Sequence, residues 1–465
     1  MRISTDYLVI GAGASGVAFA DSLAAESDAE VVLVDRNDRP GGHWVHAYPF
    51  VALHSPSAFY GVNSIVLGND KIDQSGPNAG LYERASKPEV LEHFAEATRR
   101  LEETGRVQVL LGHEDLGPAG EIRQVRDLST GEVHQVDVRR KVVDARYLEA
   151  SVPATHRPSF EVADGANLVP VGALPELADS ADTFVVLGAG KTSVDACLWL
   201  LEQGVDPERI RWVRRRDAWF HNRARFQPLD LVVDIMEGLA IEAEVGAGAT
   251  DVDDLFAQLE SNGTMLRVDP AARAEMYRGG MLSDHELTQL RRIPDAVRLG
   301  GVRRVERDRT VLDHGELATG PGFLHVDCTA RGLRDAPPVP IFAPGRIVLQ
   351  QVRHNSPTFN AALLAFVVAH RVDDEEKNRL CPPNAYASDT AGYARLLART
   401  WRTEGAWLGD PDIARWVGAS RLNLLQAFAD HQHEPRAQEA VTRYLTHVGG
   451  AIANFERMVP AGAPA

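Results

Sequence analysis

Two stretches of the chain share one pattern of apolar and polar positions, in which a short apolar run leads into a glycine-rich turn and then into apolar residues at helical spacing. The first stretch has its apolar run at residues 8–10 and its periodic residues at 17–23, and the second has them at 184–187 and 194–201. A short apolar run is typical of a buried strand, and apolar positions three and four apart are typical of a helix. We therefore predict the same strand–turn–helix unit twice.

The first turn carries the three glycines of a dinucleotide-binding motif. Gly11, Gly13 and Gly16 fit the pattern GxGxxG, and a second apolar strand, residues 31–34, ends in Asp35. The glycines let the turn be tight and let a pyrophosphate approach the backbone, and an acid about 20 residues later accepts hydrogen bonds from an adenosine ribose. This unit therefore predicts a site for FAD or NAD.

The second turn, GAGKTS at residues 188–193, permits two phosphate-binding interpretations. A P-loop requires a glycine five positions before the glycine of Gly-Lys-Thr, and Val185 stands there, inside the predicted strand. The dinucleotide interpretation needs only two turn glycines and a small residue where helix meets strand, and we favour it. The residues that would meet this second dinucleotide are Gly188, Gly190, Lys191, Thr192 and Ser193.

The strand tips of the two units differ in charge. The second unit's strand, residues 210–213, ends in Arg214, Arg215 and Arg216, where the first unit's strand ends in Asp35. A 2′-phosphate is bound by guanidinium groups, which can contact it with two hydrogen bonds at once. The second site therefore predicts NADP, unless the three arginines are only a solvated surface run.

Composition limits the class of protein. The 465 residues carry 49 basic and 65 acidic side chains, a net charge of −16, which argues against nucleic acid or an anionic membrane as the main partner. No apolar run reaches the roughly 18 residues of a membrane span, and the first strand begins too early for a signal peptide, so we expect a cytoplasmic protein. Its three cysteines are far apart, which excludes a close redox pair, and no metal-ligand spacing is present.

The motifs together resemble the class B flavoprotein monooxygenases, which include flavin-containing, N-hydroxylating and Baeyer–Villiger monooxygenases. The resemblance rests on GAGASG at 11–16, VDR at 34–36, GGHW at 41–44, GAGKTS at 188–193 and the arginine-tipped strand. Within this superfamily the chain is most similar to a bacterial group of FAD/NAD(P)-binding oxidoreductases. The Baeyer–Villiger fingerprint FxGxxxHxxxW does not precede the second motif, so the subclass stays open.

The resemblance implies two sets of cofactor contacts. The residues expected to bind FAD are Gly11, Gly13, Ser15, Gly16, Asp35, Arg36, Gly42, His43, Trp44, Thr358, Phe359 and Asn360. The residues expected to bind NADPH are Gly188, Gly190, Lys191, Thr192, Ser193, Arg214, Arg215 and Arg216.

The fold expected is α/β, with two doubly wound Rossmann-like dinucleotide-binding domains, the NADP domain inserted in the FAD domain, and a helical C-terminal extension. We place the first part of the FAD domain at residues 1–165 and the NADPH domain at 166–335, with a helical insertion at about 229–295. The FAD domain returns at 336–380, and the extension covers 381–465. A homodimer is compatible with this organisation.

The function implied is an NADPH-using, FAD-dependent monooxygenase that forms a C4a-(hydro)peroxyflavin and oxygenates a small organic substrate with O2. Two alternatives stay open at this point. One is a flavin reductase or dehydrogenase without oxygenation, and the other is a non-catalytic protein that senses NADP(H).

Two segments are candidates for the reacting site. The loop HSPSAFYGVNS contains His54 and Asn63, which could hydrogen-bond flavin, nicotinamide or a flavin peroxide, although His54 could equally be structural. Residues 353–370 predict a helix capped by Ser356 or Thr358, whose N-terminus could face the flavin pyrimidine. The alternative is an ordinary capped core helix.

Overall fold

The computed structural model of the protein describes residues 2–120, 122–177 and 180–460. The strands of the described residues are β1 (Arg2–Ile10), β2 (Val31–Asp35), β3 (Val107–Leu111), β4 (His113–Ala119), β5 (Ile122–Asp127), β6 (Val133–Asp144), β7 (Ala150–Ser151), β8 (Glu161–Val162), β9 (Leu168–Pro170), β10 (Thr183–Leu187), β11 (Ile210–Val213), β12 (Asp217–Asn222), β13 (Met265–Arg267), β14 (Ala274–Leu282), β15 (Asp295–Val297), β16 (Val302–Val305), β17 (Arg309–Leu312), β18 (Gly315–Ala318), β19 (Phe323–Asp327), β20 (Gly332–Leu333), β21 (Phe342–Ala343) and β22 (Arg346–Val348).

The α-helices of the same residues are α1 (Ala14–Glu26), α2 (Lys87–Glu103), α3 (Leu174–Leu177), α4 (Lys191–Glu202), α5 (Val233–Gly248), α6 (Val252–Ser261), α7 (Asp284–Leu290), α8 (Pro357–His370), α9 (Asp374–Leu380), α10 (Thr390–Trp407), α11 (Pro411–Ala419), α12 (Phe428–His431) and α13 (Pro435–Met458). Within the described part of the chain, no helix combines the length and apolarity that crossing a membrane requires.

The first sheet combines strands from two separate parts of the chain, residues 2–144 and 342–348. Its strand order is β21-β22-β6-β1-β2-β3, and β1, β2, β3, β6 and β22 run parallel. Residues 346–348 thus return to the sheet beside β6 after the second unit has been completed. Because helices α1 and α8 cover this sheet, strand residues such as Val9 and Leu33 are fully buried, as parallel strands require.

The second sheet is entirely parallel, in the order β15-β11-β10-β19-β9. Strand β10 leads through the second glycine turn into α4, as β1 leads through the first into α1. The short strands β7 and β20, from the two chain segments that connect the units, pair antiparallel with each other. The predicted α/β fold with two doubly wound Rossmann-like units is therefore confirmed, while the domain boundaries stay predictions.

The segment at about 229–295 differs from the helical insertion that we predicted. It contains α5, α6 and α7 but also β13 and β14, which pair with β12 in a separate three-stranded sheet. Strand β14 has no alternation of apolar and polar residues and contains Gly279 and Gly280, so its sequence lacked the usual strand pattern. The extension predicted at 381–465 contains α10 to α13, and α13 packs on α5; residues 461–465 lie outside the described residues.

Candidate functional site

The first glycine turn closes so tightly that it admits only glycine. Gly11 has φ +110°, and a Cβ on Gly16 would lie 1.8 Å from the carbonyl oxygen of Gly11. Helix α1 starts directly after Gly13, which has no side chain to cap it, and Ser15 stands half-buried in its first turn. The free backbone N–H groups of this helix start form an anion-binding end, as in dinucleotide folds.

The segment GGHW lies against that turn. A Cβ on Gly42 would come 2.8 Å from the Cα of Gly13, and the N–H of Gly41 donates to the carbonyl of Ala12 over 2.8 Å. Trp44 is buried, and its indole N–H donates to the hydroxyl of Tyr60 over 2.9 Å. The sequence did not single out Tyr60 as the partner of Trp44.

His43 is exposed, between Gly42 and buried Trp44. Its side chain keeps exposed surface, yet desolvation by the surrounding protein lowers the pKa of His43 to about 4. The imidazole is neutral at physiological pH.

Asp35 is positioned by the turn that it supports. Its carboxylate accepts the N–H of Ala12 over 2.7 Å and the N–H of Asn37 over 2.8 Å, and the residue is buried. Each oxygen uses one hydrogen bond and retains capacity for a second. The next residue, Arg36, is exposed and forms an ion pair with Glu149.

The second glycine turn has a backbone conformation similar to that of the first, but it is less enclosed by neighbouring residues. Gly188 has φ +132°, and a Cβ there would lie 2.7 Å from the carbonyl oxygen of Cys328. Among the described residues, none outside this turn and its helix comes within 4 Å of the Cβ position at Gly190, and the hydroxyl of buried Ser193 donates to the carbonyl of Gly190 over 2.8 Å. Ser193 therefore closes the turn, and the backbone around Gly190 stays accessible. Val185 lies in β10, so the glycine of a P-loop has no place there.

The start of α4 is tied to the first unit. The ammonium of Lys191 forms an ion pair with Asp195, and the hydroxyl of Tyr48 donates to the other oxygen of Asp195 over 2.6 Å. Thr192, half-buried in the first turn of α4, also lies beside the Tyr48 hydroxyl. No sequence pattern indicated Tyr48 and Asp195, because the contact joins residues from separate units.

The three arginines of the second strand tip have different surroundings. Arg214 is buried; it pairs with Asp217 over 2.8 Å, and its guanidinium lies 4.7 Å from the ring centroid of Trp212. Arg215 and Arg216 are exposed. The structure therefore gives Arg214 partners within the protein and leaves its two neighbours facing outward.

A further arginine joins them from β14. Desolvation and the like charges of Arg216 and Arg331 lower the pKa of Arg278, although Asp335 acts in the opposite direction. Arg278 also donates to the backbone carbonyl of Arg331. A group of like charges near the second turn attracts an anion. No sequence motif indicated Arg278, because its strand belongs to the insertion.

His54 lies where the two units meet. The guanidinium of Arg223 donates to the backbone carbonyl of His54 over 2.7 Å. Desolvation and the positive charges of Lys191, Arg223 and Arg84 lower the pKa of His54 to about 3. This half-buried imidazole is therefore neutral and lies near Lys191, at the start of α4.

A buried ion cluster holds the His54 loop. Arg223 has no exposed surface and pairs with Glu286 over 2.8 Å, and Arg84 lies 3.4 Å from the other oxygen of that carboxylate. Burial opposes ionisation, but Arg223, Lys191 and Arg84 outweigh it and lower the pKa of Glu286 to about 2. Charged partners from the turn after β12, from α7 and from a loop thus fix the position of His54.

Asn63 belongs to a different set of contacts. Its backbone N–H donates to Asp21 over 3.0 Å, and its side-chain oxygen accepts the hydroxyl of Ser420 over 3.0 Å. Arg421 donates to four backbone carbonyls in residues 58–65. Among the described residues no hydrogen bond joins Asn63 to His54, so the structure does not bring these two candidates together.

The turn before α8 is held by side chains, although not in the way that we predicted. Neither Ser356 nor Thr358 caps the helix: the hydroxyl of Ser356 donates back to the carbonyl of His354 over 3.0 Å. Asn360 exchanges two hydrogen bonds of 2.8 Å with the backbone of Arg353, whose guanidinium lies 4.0 Å from the ring centroid of buried Phe359.

The three residues of α8 that were expected to bind FAD, Thr358, Phe359 and Asn360, differ in their surroundings. Phe359 and Asn360 have partners within the protein, whereas the buried hydroxyl of Thr358 has no hydrogen-bond partner among the described residues. Buried polar atoms without a partner are uncommon and indicate a missing contact. Thr358 is thus the residue of this helix that fits a bound group.

Comparison with known proteins agrees with this geometry. The sequence model of the NAD(P)-binding Rossmann-like domain family matches residues 9–59. The open crystal structure of cyclohexanone monooxygenase aligns with a TM-score of 0.52 at 15% identity, over 95% of this chain and 98% of the other. Its rotated, cyclohexanone-bound form aligns with a TM-score of 0.51 at 13% identity, over 97% and 99%. The chain has the fold of the class B flavoprotein monooxygenases, as the motifs predicted.

Two mycobacterial proteins are much closer in sequence. The uncharacterized protein Rv2000 of Mycobacterium tuberculosis is 44% identical over 442 residues, which are 94% of this chain and 81% of Rv2000. The uncharacterized protein Mb2023 of Mycobacterium bovis matches with the same values. The chain belongs to the family of these two proteins.

Proposed function

We propose that the protein is an FAD-dependent, NADPH-using oxidoreductase that acts as a monooxygenase on a small organic substrate, with O2 as co-substrate. The observation that carries the proposal is the contact between the second glycine turn and the segments that follow the first. The positive charge of Lys191 helps to lower the pKa of His54, and the hydroxyl of Tyr48 donates to Asp195. A second dinucleotide turn in contact with the segments that follow the first turn could hold one cofactor beside the other, which hydride transfer requires.

The residues of the first unit fit FAD. Gly13 and Gly42 approach so closely that only backbone faces the turn, and the start of α1 offers free N–H groups. Asp35 retains acceptor capacity for a ribose hydroxyl, and Thr358 has a buried hydroxyl without a partner among the described residues. His43 and Trp44 would complete the wall beside the ring system.

The second unit fits NADPH. The accessible backbone at Gly190 would receive the pyrophosphate, and the exposed guanidinium groups of Arg215 and Arg216 would receive the 2′-phosphate, with Arg278 nearby. Buried Arg214, which pairs with Asp217, would support the two exposed arginines from the protein interior.

FAD, when bound, would supply a hydride acceptor and, once reduced, a centre that reacts with O2. The protein's contribution would be position and exclusion of water. His43 and His54 stay neutral at physiological pH, so neither adds a net charge to the cleft, and the buried pair Trp44–Tyr60 keeps the wall beside the first turn apolar. A cytoplasmic location and a homodimer stay predictions from the sequence.

The test starts with the purified full-length protein. We expect it to be yellow, to release FAD rather than FMN on denaturation, and to undergo anaerobic flavin reduction by NADPH. On mixing the reduced protein with O2, we expect a long-lived absorbance transient. Immediate reoxidation with hydrogen peroxide release would favour a reductase, and flavin that NADPH cannot reduce would favour an NADP(H)-sensing protein. Colourless protein that cannot be reconstituted with FAD would contradict the proposal.

A further inference from the structure

A buried hydrogen-bond chain connects the insertion with the turn before α8. The hydroxyl of Tyr277, on β14, lies 2.7 Å from Nε2 of His221, on β12, and 2.7 Å from Nε2 of His354. Tyr393 packs on Tyr277 with ring centroids 4.6 Å apart. His221 and Tyr277 are sealed in the core, whereas His354 is half-buried.

The hydrogen-bond chain of His221, Tyr277 and His354 contains few protons. Their number restricts which ring nitrogen of each histidine is protonated. Burial lowers the pKa of His221 to about 3, and burial together with His221 lowers the pKa of His354 well below its usual value, so both rings are neutral. Burial raises the pKa of Tyr277 well above its usual value, and a hydrogen bond with the side chain of Asn355 opposes this, so Asn355 is a donor to the Tyr277 oxygen and not an acceptor of its proton. The one hydroxyl proton of Tyr277 can therefore go to only one of the two histidines, and the other ring must donate to its oxygen.

The unpaired nitrogen of His221 decides the direction. Nδ1 of His221 is buried and has no partner among the described residues. A buried N–H without an acceptor is rarer in proteins than an acceptor without a donor, so His221 carries its proton on Nε2 and donates to Tyr277. Tyr277 then donates to Nε2 of His354. The proton of His354 must therefore be on Nδ1.

That nitrogen is available to a ligand. Nδ1 of His354 has no hydrogen-bond partner among the described residues. It is also not one of the unpaired side-chain atoms that are fully buried. The following residue, Asn355, lies against Gly279, where a Cβ would be 2.3 Å from its side-chain nitrogen. Gly280, next on β14, lies beside Lys191 of the second turn, with 3.9 Å between the Cβ position and Cβ. His354 thus stands between the start of α8 and the second glycine turn.

We propose that His354 donates its Nδ1–H to a carbonyl oxygen of a cofactor bound between the two units, and that Tyr277 and His221 hold its ring in this tautomer. The identity of that cofactor rests on the proposed function: the carbonyl belongs either to the flavin ring or to the nicotinamide carboxamide. The tautomer itself does not depend on the proposed function. His354 would therefore be a ligand-binding residue, and Tyr277 and His221 its positioning residues.

The first experiment is nitrogen NMR of full-length protein labelled with ¹⁵N-histidine, with the His354 signals assigned by their loss in His354→Asn. We expect Nδ1 protonated and Nε2 unprotonated in wild type. We also expect Tyr277→Phe to mix the two tautomers, because it removes the hydroxyl donor. The matched control Tyr393→Phe removes a hydroxyl that donates to Glu242 and should leave the His354 signals unchanged. A proton on Nε2 in wild type would overturn the proposal.

The second experiment identifies the carbonyl. The His354 Nδ1 signal is followed when FAD is removed and restored, when NADP⁺ is added, and when adenosine 2′,5′-bisphosphate is added, which lacks nicotinamide. A shift with FAD alone assigns the flavin; a shift with NADP⁺ and not with the bisphosphate assigns the carboxamide. Binding of both cofactors with no shift in either arm would overturn the inference and leave the proposed function standing. Failure to bind FAD would instead contradict the proposed function.

Two variants of His354 separate donation from packing. An asparagine amide can place its N–H near the position of Nδ1, whereas a glutamine amide places its polar atoms near Nε2, where Tyr277 contacts the ring. We expect His354→Gln to weaken binding of the assigned cofactor by about three- to tenfold, as the loss of one neutral hydrogen bond predicts, and His354→Asn to weaken it less. Equal weakening in both variants, measured by equilibrium titration, would contradict a donor at Nδ1.

Discussion

The two glycine turns have nearly the same backbone and very different surroundings. Gly11 and Gly188 both have positive φ, and each turn leads into the helix of its unit. The first turn is backed by a second pair of glycines, with Gly42 against Gly13, whereas in the described part of the chain no neighbouring segment comes within 4 Å of the Cβ position at Gly190. The first turn is therefore part of a closed wall, and the second is open to an approaching ligand.

The strand tips teach a related lesson. Asp35 and Arg214 stand at equivalent positions, have opposite charges, and both are occupied by partners within the protein: backbone N–H groups for Asp35 and Asp217 for Arg214. Charge at the tip therefore distinguishes the units, but only the neighbouring residues show what is free for a ligand. In the second unit those neighbours are Arg215 and Arg216.

Breaking the ion pair between Arg223 and Glu286, which holds the His54 loop where the two units meet, should lower the free energy of unfolding most. Arg223→Met would remove the ion-pair partner nearest to buried Glu286 and leave it with the more distant charges of Arg84 and Lys191, and loss of one partner of a buried pair costs about 3 to 5 kcal/mol. We expect a fall of this order in the free energy of unfolding, measured by urea denaturation. The control is Arg225→Met, which removes a half-buried arginine 3.8 Å from Glu237 and should cost less than about 1 kcal/mol. Similar losses in the two variants would contradict this view of the cluster.

The closed and open turns should respond differently to one added methyl group. Gly16→Ala would place a Cβ 1.8 Å from a backbone oxygen, so we expect loss of bound flavin and destabilisation of about 1 to 3 kcal/mol or more. Gly190→Ala has space for its Cβ and should keep both flavin and stability. Flavin absorbance and thermal unfolding of the two variants measure this difference, and flavin retained by Gly16→Ala would show that the turn can relax.

The arginines of the open turn should control the choice of nucleotide. We expect Arg215→Ala or Arg216→Ala to weaken NADPH binding about tenfold to a hundredfold, since each loses a charge-assisted contact, and to leave NADH binding unchanged. Arg214→Ala should mainly lower stability, because Asp217 loses a partner. The concentration dependence of anaerobic flavin reduction by each nucleotide tests this. If Arg214→Ala alone weakened NADPH binding and left NADH binding unchanged, Arg214 would be the arginine that binds the 2′-phosphate.

The smallest effect should be the pH response of the closed turn. The pKa of His43 is lowered to about 4, below its unfolded value, so its contribution to stability is present above about pH 6.5 and is lost as pH falls towards 4. We expect the melting temperature of wild type to fall more steeply than that of His43→Gln between pH 6.5 and 4. Parallel curves would show that His43 is solvated like an ordinary surface histidine.

Local patterns were sufficient for the two units because each depends on residues close together in the chain. The glycines, the apolar strands and helices and the acid at the first strand tip all follow from backbone geometry and short-range spacing. The insertion was harder, since β14 buries residues on both faces without a regular alternation and contains two glycines, so neither period nor composition indicated a strand.

By itself, the sequence determined the class of fold, the two dinucleotide turns and the contrast in charge between their strand tips. Only the tertiary structure decided that Arg214 is buried while its neighbours face outward, that His54 lies beside Lys191, and that Asn63 does not share its contacts. It also joined His221, Tyr277 and His354, from three separate segments, into one hydrogen-bond chain. The physical reason is that burial, pKa and hydrogen-bond direction depend on neighbours distant in sequence, which spacing along one chain segment does not encode.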